Sequence, residues 1–170
     1  MKTAIVYSHK ANKTSKAAKI IIEALKPKQI DNIDVENLDV KKLSKYDLVI
    51  LGSPSWFDGE LAVYWDELVP EIEDTDFSKV NVAIFGNADQ VNYPENFGDA
   101  VGLLADVFQA SGAKVIGMAS IEGYNFESSQ ALREGMFTGL ILDFENQSKL
   151  NKTRISSWVG NILQEVNLKH

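Results

Sequence analysis

The sequence predicts an α/β fold, a parallel β-sheet covered by helices, and three observations predict it. Short apolar runs alternate with segments of helical period along the chain, the signature of βαβ units. The runs at 48–51, 82–85 and 115–118 are apolar almost without interruption, as strands buried on both faces are. A length of 170 residues matches one domain large enough to bury a substantial core, so 1–170 is expected to be a single unit.

The elements follow in order. Strands are expected at Thr3–Tyr7, Asp34–Leu38, Asp47–Gly52, Asn81–Gly86 and Lys114–Ala119. Ala17, Ala18, Ile21, Ile22 and Leu25 recur at helical steps and mark a first helix, which Pro27 should end. Leu61, Tyr64, Trp65, Leu68, Val69 and Ile72 mark a second. Ala100, Leu103, Leu104, Val107 and Phe108 mark a third, closed by Gly112 just past its end. Ile155, Trp158, Val159, Ile162, Leu163 and Val166 mark the last. Between Ser120 and Phe137 lies a polar stretch rich in Ser, Glu and Gly, followed by a second apolar run, Leu140-Ile141-Leu142. It reads as an insertion that splits or decorates the fifth strand.

Composition narrows the function. Hydrophobic residues at 45% and charged residues at 24% are those of a soluble globular protein. Met1-Lys2 runs straight into Thr3–Tyr7 without a signal-peptide pattern, and no apolar run is long enough to span a bilayer, so a cytoplasmic location is expected. With no cysteine there are no disulfides, thiolate nucleophiles or cysteine-ligated metals, and a redox role needs an organic cofactor or another metal. A formal charge of −7 disfavours nucleic acid and anionic membranes as partners. Eight carboxylates and no Lys or Arg fall between Phe57 and Ser78 (Asp58, Glu60, Asp66, Glu67, Glu71, Glu73, Asp74, Asp76), either a plain solvated face or a means of steering toward basic partners.

A sheet of this kind places its ligand beyond the carboxyl ends of its strands, where strand order reverses. That selects three loops before any motif is consulted: Ser8–Thr14, Ser53–Gly59 and Asn87–Phe97. The first leads from a strand into a helix, where free backbone N–H groups and the helix dipole favour an anion such as phosphate. Ser8 and Thr14 offer hydroxyls there, Asn12 an amide and Lys10 and Lys13 positive charge; an ordinary polar connection with Thr14 or Ser15 as helix cap is the plain alternative. The second loop sets Trp56 and Phe57 side by side at a strand end, as edge packing or as a platform for a flat ligand. The third adds Tyr93 among Asn87, Asp89 and Gln90, polar groups that suit the edge of a ring system. A phosphate site, two aromatic faces and a polar rim together describe a mononucleotide with a flat heterocycle. His9 and His170 show no sign of converging, no metal-ligand spacing is present, and the first loop lacks the acidic residues of a phosphoacceptor receiver domain.

These segments resemble the long-chain flavodoxins over most of the chain. The matching strings are Gly52-Ser53-Pro54-Ser55-Trp56 with Gly59-Glu60-Leu61; Asp89-Gln90, Tyr93-Pro94-Glu95-Asn96-Phe97 and Asp99-Ala100; Glu122-Gly123-Tyr124 with Phe126; and Gly139-Leu140 with Asp143 and Asn146-Gln147-Ser148. The resemblance implies a flavodoxin-like three-layer α/β/α sandwich whose five-stranded parallel sheet has the order 2-1-3-4-5, with the stretch 120–138 as the inserted loop of the long-chain members. It implies an FMN-binding, low-potential electron carrier without catalytic residues, acting as a monomer between a reductase of the flavodoxin/ferredoxin type and low-potential acceptors with basic docking surfaces. By resemblance, Trp56 and Tyr93 flank the isoalloxazine, the backbone around Asp89 bonds its pyrimidine edge, and Phe57-Asp58 lie near flavin N5. Ser53, Pro54, Ser55, Asn87 and Ala88 belong to the same loops, Asn96 and Phe97 line the rim, and Glu145 falls where some members contact the ribitol. The acidic surface near the flavin would disfavour its negatively charged reduced form and lower the potential for the second electron.

The phosphate loop departs from the family pattern. Ser/Thr-x-Thr-Gly-x-Thr falls on His9-Lys10-Ala11-Asn12-Lys13-Thr14, which keeps the length and Thr14 but loses two hydroxyls and the glycine. Asn12 is the mildest substitute for that glycine, since Asn tolerates a positive φ and donates. Ala11 has no such compensation, and Ala88 stands where the family has Gly. The lost hydrogen bonds are worth on the order of 1–3 kcal/mol each, which charge from His9, Lys10 or Lys13 would partly offset. Two other readings remain open: a binding or regulatory module of this fold that has lost the cofactor, and an NAD(P)H-dependent flavin reductase.

Overall fold

The computed structural model describes residues 1–26, 29–56 and 58–167, with Trp56 described by its backbone alone. Its elements are β1 (Thr3–Tyr7), α1 (Asn12–Leu25), β2 (Ile30–Asp34), α2 (Val40–Leu43), β3 (Leu48–Trp56), β4 (Glu60–Leu61), α3 (Val63–Asp66), α4 (Val69–Glu73), β5 (Asn81–Asn87), α5 (Asp99–Ala110), β6 (Lys114–Ile116), β7 (Ala119–Ser120), β8 (Leu132–Arg133), β9 (Met136–Phe137), β10 (Leu140–Leu142) and α6 (Asn151–Asn167).

The main sheet runs β10-β5-β3-β1-β2, with β6 also on β5 and β4 on β3. β6 pairs in parallel with Asn81–Ala83 and β10 with Phe85–Asn87, so the two lie end to end along one edge of β5. This is the expected 2-1-3-4-5 order, with the fifth strand split by the insertion. Strand side chains alternate between two apolar clusters: Ala4, Val6, Val49, Leu51, Val82 and Ile84 face the side covered by α5, whereas Ile5, Tyr7, Leu48, Ile50, Ala83 and Phe85 face α1 and α6. Burial on both faces explains why the central strands read as continuous apolar runs.

The elements that differ from expectation have local causes. The second strand is Ile30–Asp34, paired with Thr3–Tyr7, and not Asp34–Leu38. As a part-exposed edge strand it carries polar residues, while the apolar Val35 and Leu38 belong to a 3₁₀ turn whose start is capped by Asp34 accepting from the Glu36 N–H at 3.2 Å. The short α2 then occupies a stretch where no helix was expected. The second expected helix is two short pieces, because Pro70 lacks the N–H that continuity requires, and Leu61 pairs with Ser55 in an antiparallel hairpin instead. The fifth strand stops at Ile116, where Gly117 turns at φ +77 and its carbonyl accepts from the buried Trp158 indole at 2.6 Å.

The insertion forms its own antiparallel sheet, β7-β9-β8. It is anchored by an aromatic cluster in which Phe97 stacks on Phe126 at 5.4 Å and contacts Tyr124 and Phe137. No helix among the described residues is long and apolar enough to cross a membrane.

Candidate functional site

β1, β3 and β5 are neighbours, and all three loops leave from their carboxyl ends. The chain passes from β1 outward to β2 and then back across to β3, which puts the reversal of strand order at these loops. A cleft of about 460 Å³ opens over the start of α1, lined by the loop from Ser8 to Thr14, by Pro54 and Asn87, and by Glu36 and Tyr64.

The helix begins earlier than expected. Its N-cap is Ala11, neither Thr14 nor Ser15, and it has no side-chain cap and no acidic residue in its first turn. The first backbone N–H groups of any helix lack an intrahelical partner, so those of Asn12, Lys13 and Thr14 are presented at the cleft without a competing carboxylate cap. Asn12 needs no glycine-like conformation: among the described residues only Lys26 and Glu134 combine a side chain with positive φ. Thr14 is buried, and its hydroxyl donates to the Asn87 side-chain oxygen at 3.0 Å, joining the first and third loops.

The basic groups of the loop are already engaged. Lys10 pairs with Glu36 at 3.2 Å, and Lys13 pairs with Glu145. His9 is turned toward β2, with its ring against Tyr7 and its Nε2 3.1 Å from Asn32 Oδ1, so its imidazole is not aimed at the helix start. Burial, with the carboxylates of Glu36 and Asp34, pushes the Tyr64 phenol up to about 12, so this wall of the cleft is a neutral hydroxyl beside acids.

The second loop is an extension of β3. Ser53 is fully buried and its hydroxyl donates to the Pro54 carbonyl at 2.9 Å, while Ser55 Oγ accepts from the Ala100 N–H at 3.4 Å, which ties the loop to α5. Trp56 ends the strand opposite Glu60, and Asp58 follows on an exposed turn. The expectations for the Trp56 side chain and for Phe57 lie outside the described residues.

In the third loop Tyr93 is 58% exposed, an uncommon setting for a ring this large and one suited to a stacking partner. The backbone around Asp89 is mostly committed: Ala88 N–H donates to the Leu142 carbonyl at 2.9 Å and Gln90 N–H to Asp143 at 3.1 Å. The Asp89 N–H between them takes no part in these bonds. The Asp89 carboxylate is drawn back into its own loop; burial would raise its pKa, but hydrogen bonds from Asn92, Asn146 and Val91 outweigh that and hold it below the ordinary value. Three residues of this loop are engaged within the chain. Phe97, expected at the rim, is completely buried in the aromatic cluster beneath the insertion. Asn96 turns its amide to Asp99 at 3.3 Å. Gln90 is buried between Asp143 and the Asn125 N–H.

Asp143, Asn146, Glu36 and Tyr64 are the residues that sequence reasoning missed here. Asp143 is fully buried; one carboxylate oxygen accepts from both Gln90 nitrogens, the other from the Asn146 N–H, and the Asn146 amide reaches both, fixing the third loop to the end of β10. Glu36 was hidden by the misplaced second strand; with β2 ending at Asp34, it follows a carboxyl end adjacent to the site. Tyr64 carried a helical period and so read only as core.

The geometry fits a phosphate monoester bearing a flat ring: an uncapped helix start at a polar cleft, with an exposed aromatic on a neighbouring, rigidly held loop. Among the described residues no group of three or more His, Asp or Glu is placed to hold a metal ion.

Comparison with known proteins agrees in one direction. The family model described as Flavodoxin matches residues 5–158. Flavodoxin of Nostoc sp. is 40% identical over 167 residues, covering 98% of each chain. Flavodoxin 1 of Escherichia coli K12 is 35% identical over 167 residues, covering 98% of this chain and 95% of its own. The crystal structure of Fusobacterium nucleatum flavodoxin bound to flavin mononucleotide superposes with a TM-score of 0.91 at 31% identity, covering 97% of this chain and 99% of that one.

Proposed function

The chain belongs to the flavodoxin family, and from that premise we propose how it holds its cofactor and meets its partners. It is an electron carrier that uses FMN, an electron-transfer protein and not an enzyme. The start of α1, with Ser8 and the loop through Thr14, holds the phosphate; the β3 extension at Ser53–Trp56 and the loop at Asn87–Tyr93 hold the ring, with Tyr93 as one stacking face. When bound, the flavin supplies the redox chemistry, accepting and releasing electrons. The protein's own part is to bind, to orient and to exclude water. Thr14 and Asn87 lock two loops together, and Asp143 with Asn146 sets the ring-side loop. The Asp89 N–H is the group left to meet a ring edge.

The observation that carries this assignment is the uncapped α1 N-terminus opening on a cleft at the point of strand reversal. A fluorescence titration of the apoprotein with FMN and with riboflavin tests it. One-to-one binding with quenching, tighter for FMN than for riboflavin, is the expected result. Equal affinity for the two ligands refutes the phosphate assignment, and no binding of either refutes the site and revives the cofactor-free module.

The carrier works between redox proteins, and we assign basic docking surfaces to them. Seven of the eight carboxylates in 58–76 are exposed (Asp58, Glu60, Asp66, Glu67, Glu73, Asp74 and Asp76), as steering of a basic partner requires. The same reading takes 1–170 as one domain working as a cytoplasmic monomer. The single domain is supported by the two apolar clusters, each of which draws residues from both halves of the chain.

A further inference from the structure

The loop at α1 brings two cations, Lys10 and Lys13, to a place where the backbone already favours an anion. Each is met by a carboxylate from a different part of the chain: Glu36 from the 3₁₀ turn after β2, and Glu145 from the loop after β10. Around the helix start the two lysines and two glutamates sum to zero. We propose that Glu36 and Glu145 are specificity-determining residues that restrain the site's preference for a phosphorylated over an unphosphorylated flavin, by holding the lysines and by repelling the incoming dianion.

The argument rests on signs and on exposure. Lys10 is 79% exposed on its side chain and Glu36 41%; Lys13 is 42% and Glu145 51%. Pairs this open to water are weak, so neither lysine is locked and a dianion can draw either one away from its glutamate. The carboxylate left behind is not removed, and its charge opposes the phosphate through a medium close to water, an effect worth a few-fold in affinity per carboxylate. Glu36 itself lines the cleft, so its repulsion persists once Lys10 has moved. An uncharged ligand end feels neither term. The two glutamates therefore act on the phosphate-dependent part of binding, whereas Asp143 and Asn146 act on the loop that meets the ring.

This inference rests on the FMN reading above, and its test is arranged so that the two fail separately. The full-length apoprotein is titrated with FMN and riboflavin as wild type, Glu36→Gln, Glu145→Gln and the double variant. The ratio of FMN to riboflavin affinity is expected to rise roughly threefold for each single change and about tenfold for both. An unchanged or smaller ratio overturns the proposal, the smaller ratio meaning that the glutamates position the lysines for the phosphate. If neither flavin binds the wild type, the FMN reading fails, and inorganic phosphate decides the remaining question. Amide shifts of Asn12 to Ser15 then report its binding: a tighter phosphate site in the variants supports the proposal, and an equal or weaker one overturns it.

Discussion

Replacing Asp143 by Asn is the sharpest perturbation the structure offers. The side chain is fully buried, and its two oxygens meet donors on both sides: Oδ2 faces the Gln90 backbone N–H at 3.1 Å and its amide at 2.7 Å, Oδ1 faces the Asn146 N–H at 3.0 Å, and the Asn146 amide reaches both oxygens, at 3.1 Å and 3.0 Å. Asparagine turns one oxygen into a donor: a nitrogen at the Oδ2 position strands both Gln90 donors, whereas one at the Oδ1 position strands the Asn146 N–H alone, because the Asn146 amide keeps Oδ2. The better placement strands one donor, a loss of about 1–3 kcal/mol. Against a total stability of about 5–15 kcal/mol that is a large fraction. Asn146 also holds Asp89 at 2.8 Å, so the damage reaches the loop carrying Tyr93. Urea unfolding of the apoprotein measures the first effect, as a lower midpoint at unchanged slope, and flavin titration the second, as weaker binding of FMN and riboflavin alike. A destabilisation below about 1 kcal/mol would show that Gln90 and Asn146 find other acceptors, and the account of the ring-side loop would be wrong.

Two further outcomes follow from the same network and from the insertion. The Asp89 carboxylate is held below its ordinary 3.8 by bonds from Asn92, Asn146 and Val91 that outweigh burial; a depressed carboxylate contributes stability above its unfolded value and loses it as the pH falls through the folded one. Urea midpoints of wild type and Asp89→Ala should therefore differ by a constant amount from neutrality down toward 3.8 and converge below it, and a gap that persists in acid refutes the role of the charge. A Cβ on Gly102 would lie 2.2 Å from the Gln130 carbonyl, so Gly102→Ala forces the insertion off α5. The expected cost is about 1–3 kcal/mol, with faster proteolytic cleavage inside 120–138, and an unchanged cleavage rate would count against this packing.

The fold was legible wherever burial is two-sided or a helix carries a clear stripe. β1, β3 and β5 announced themselves because their apolar residues face the two clusters in alternation, and α1, α5 and α6 because only one face does. The edge strand failed for the opposite reason. Ile30–Asp34 bonds to one neighbour and is half open to water, so its sequence alternates poorly, and the better-looking Asp34–Leu38 took its place. The expected long helix from Leu61 to Ile72 shows that a correct period does not establish continuity: Trp65 and Ile72 are both buried as predicted, yet Pro70 divides them and Leu61 belongs to a hairpin.

The site was legible as positions and not as partners. Topology alone selected the three loops, because carboxyl ends at a strand reversal are a property of the whole sheet. Which side chains face the ligand is a property of pairs distant in sequence. Asn96 and Phe97 stand in one of these loops, where Asp99 takes the Asn96 amide and the aromatic cluster of the insertion buries Phe97. Lys10 and Lys13 read as free cations until Glu36 and Glu145 arrive from elsewhere in the chain. A loop motif specifies where a phosphate meets backbone, and the long-range pairs specify how much charge remains to greet it. An uncapped helix start needs neither hydroxyl nor glycine to present its N–H groups, so Ala11 and Asn12 leave the backbone part of the proposed phosphate site in place. What distinguishes this chain's phosphate site is then the balance of Lys10, Lys13, Glu36 and Glu145, and substitutions at the two glutamates should move phosphate recognition in the opposite sense to those at the two lysines.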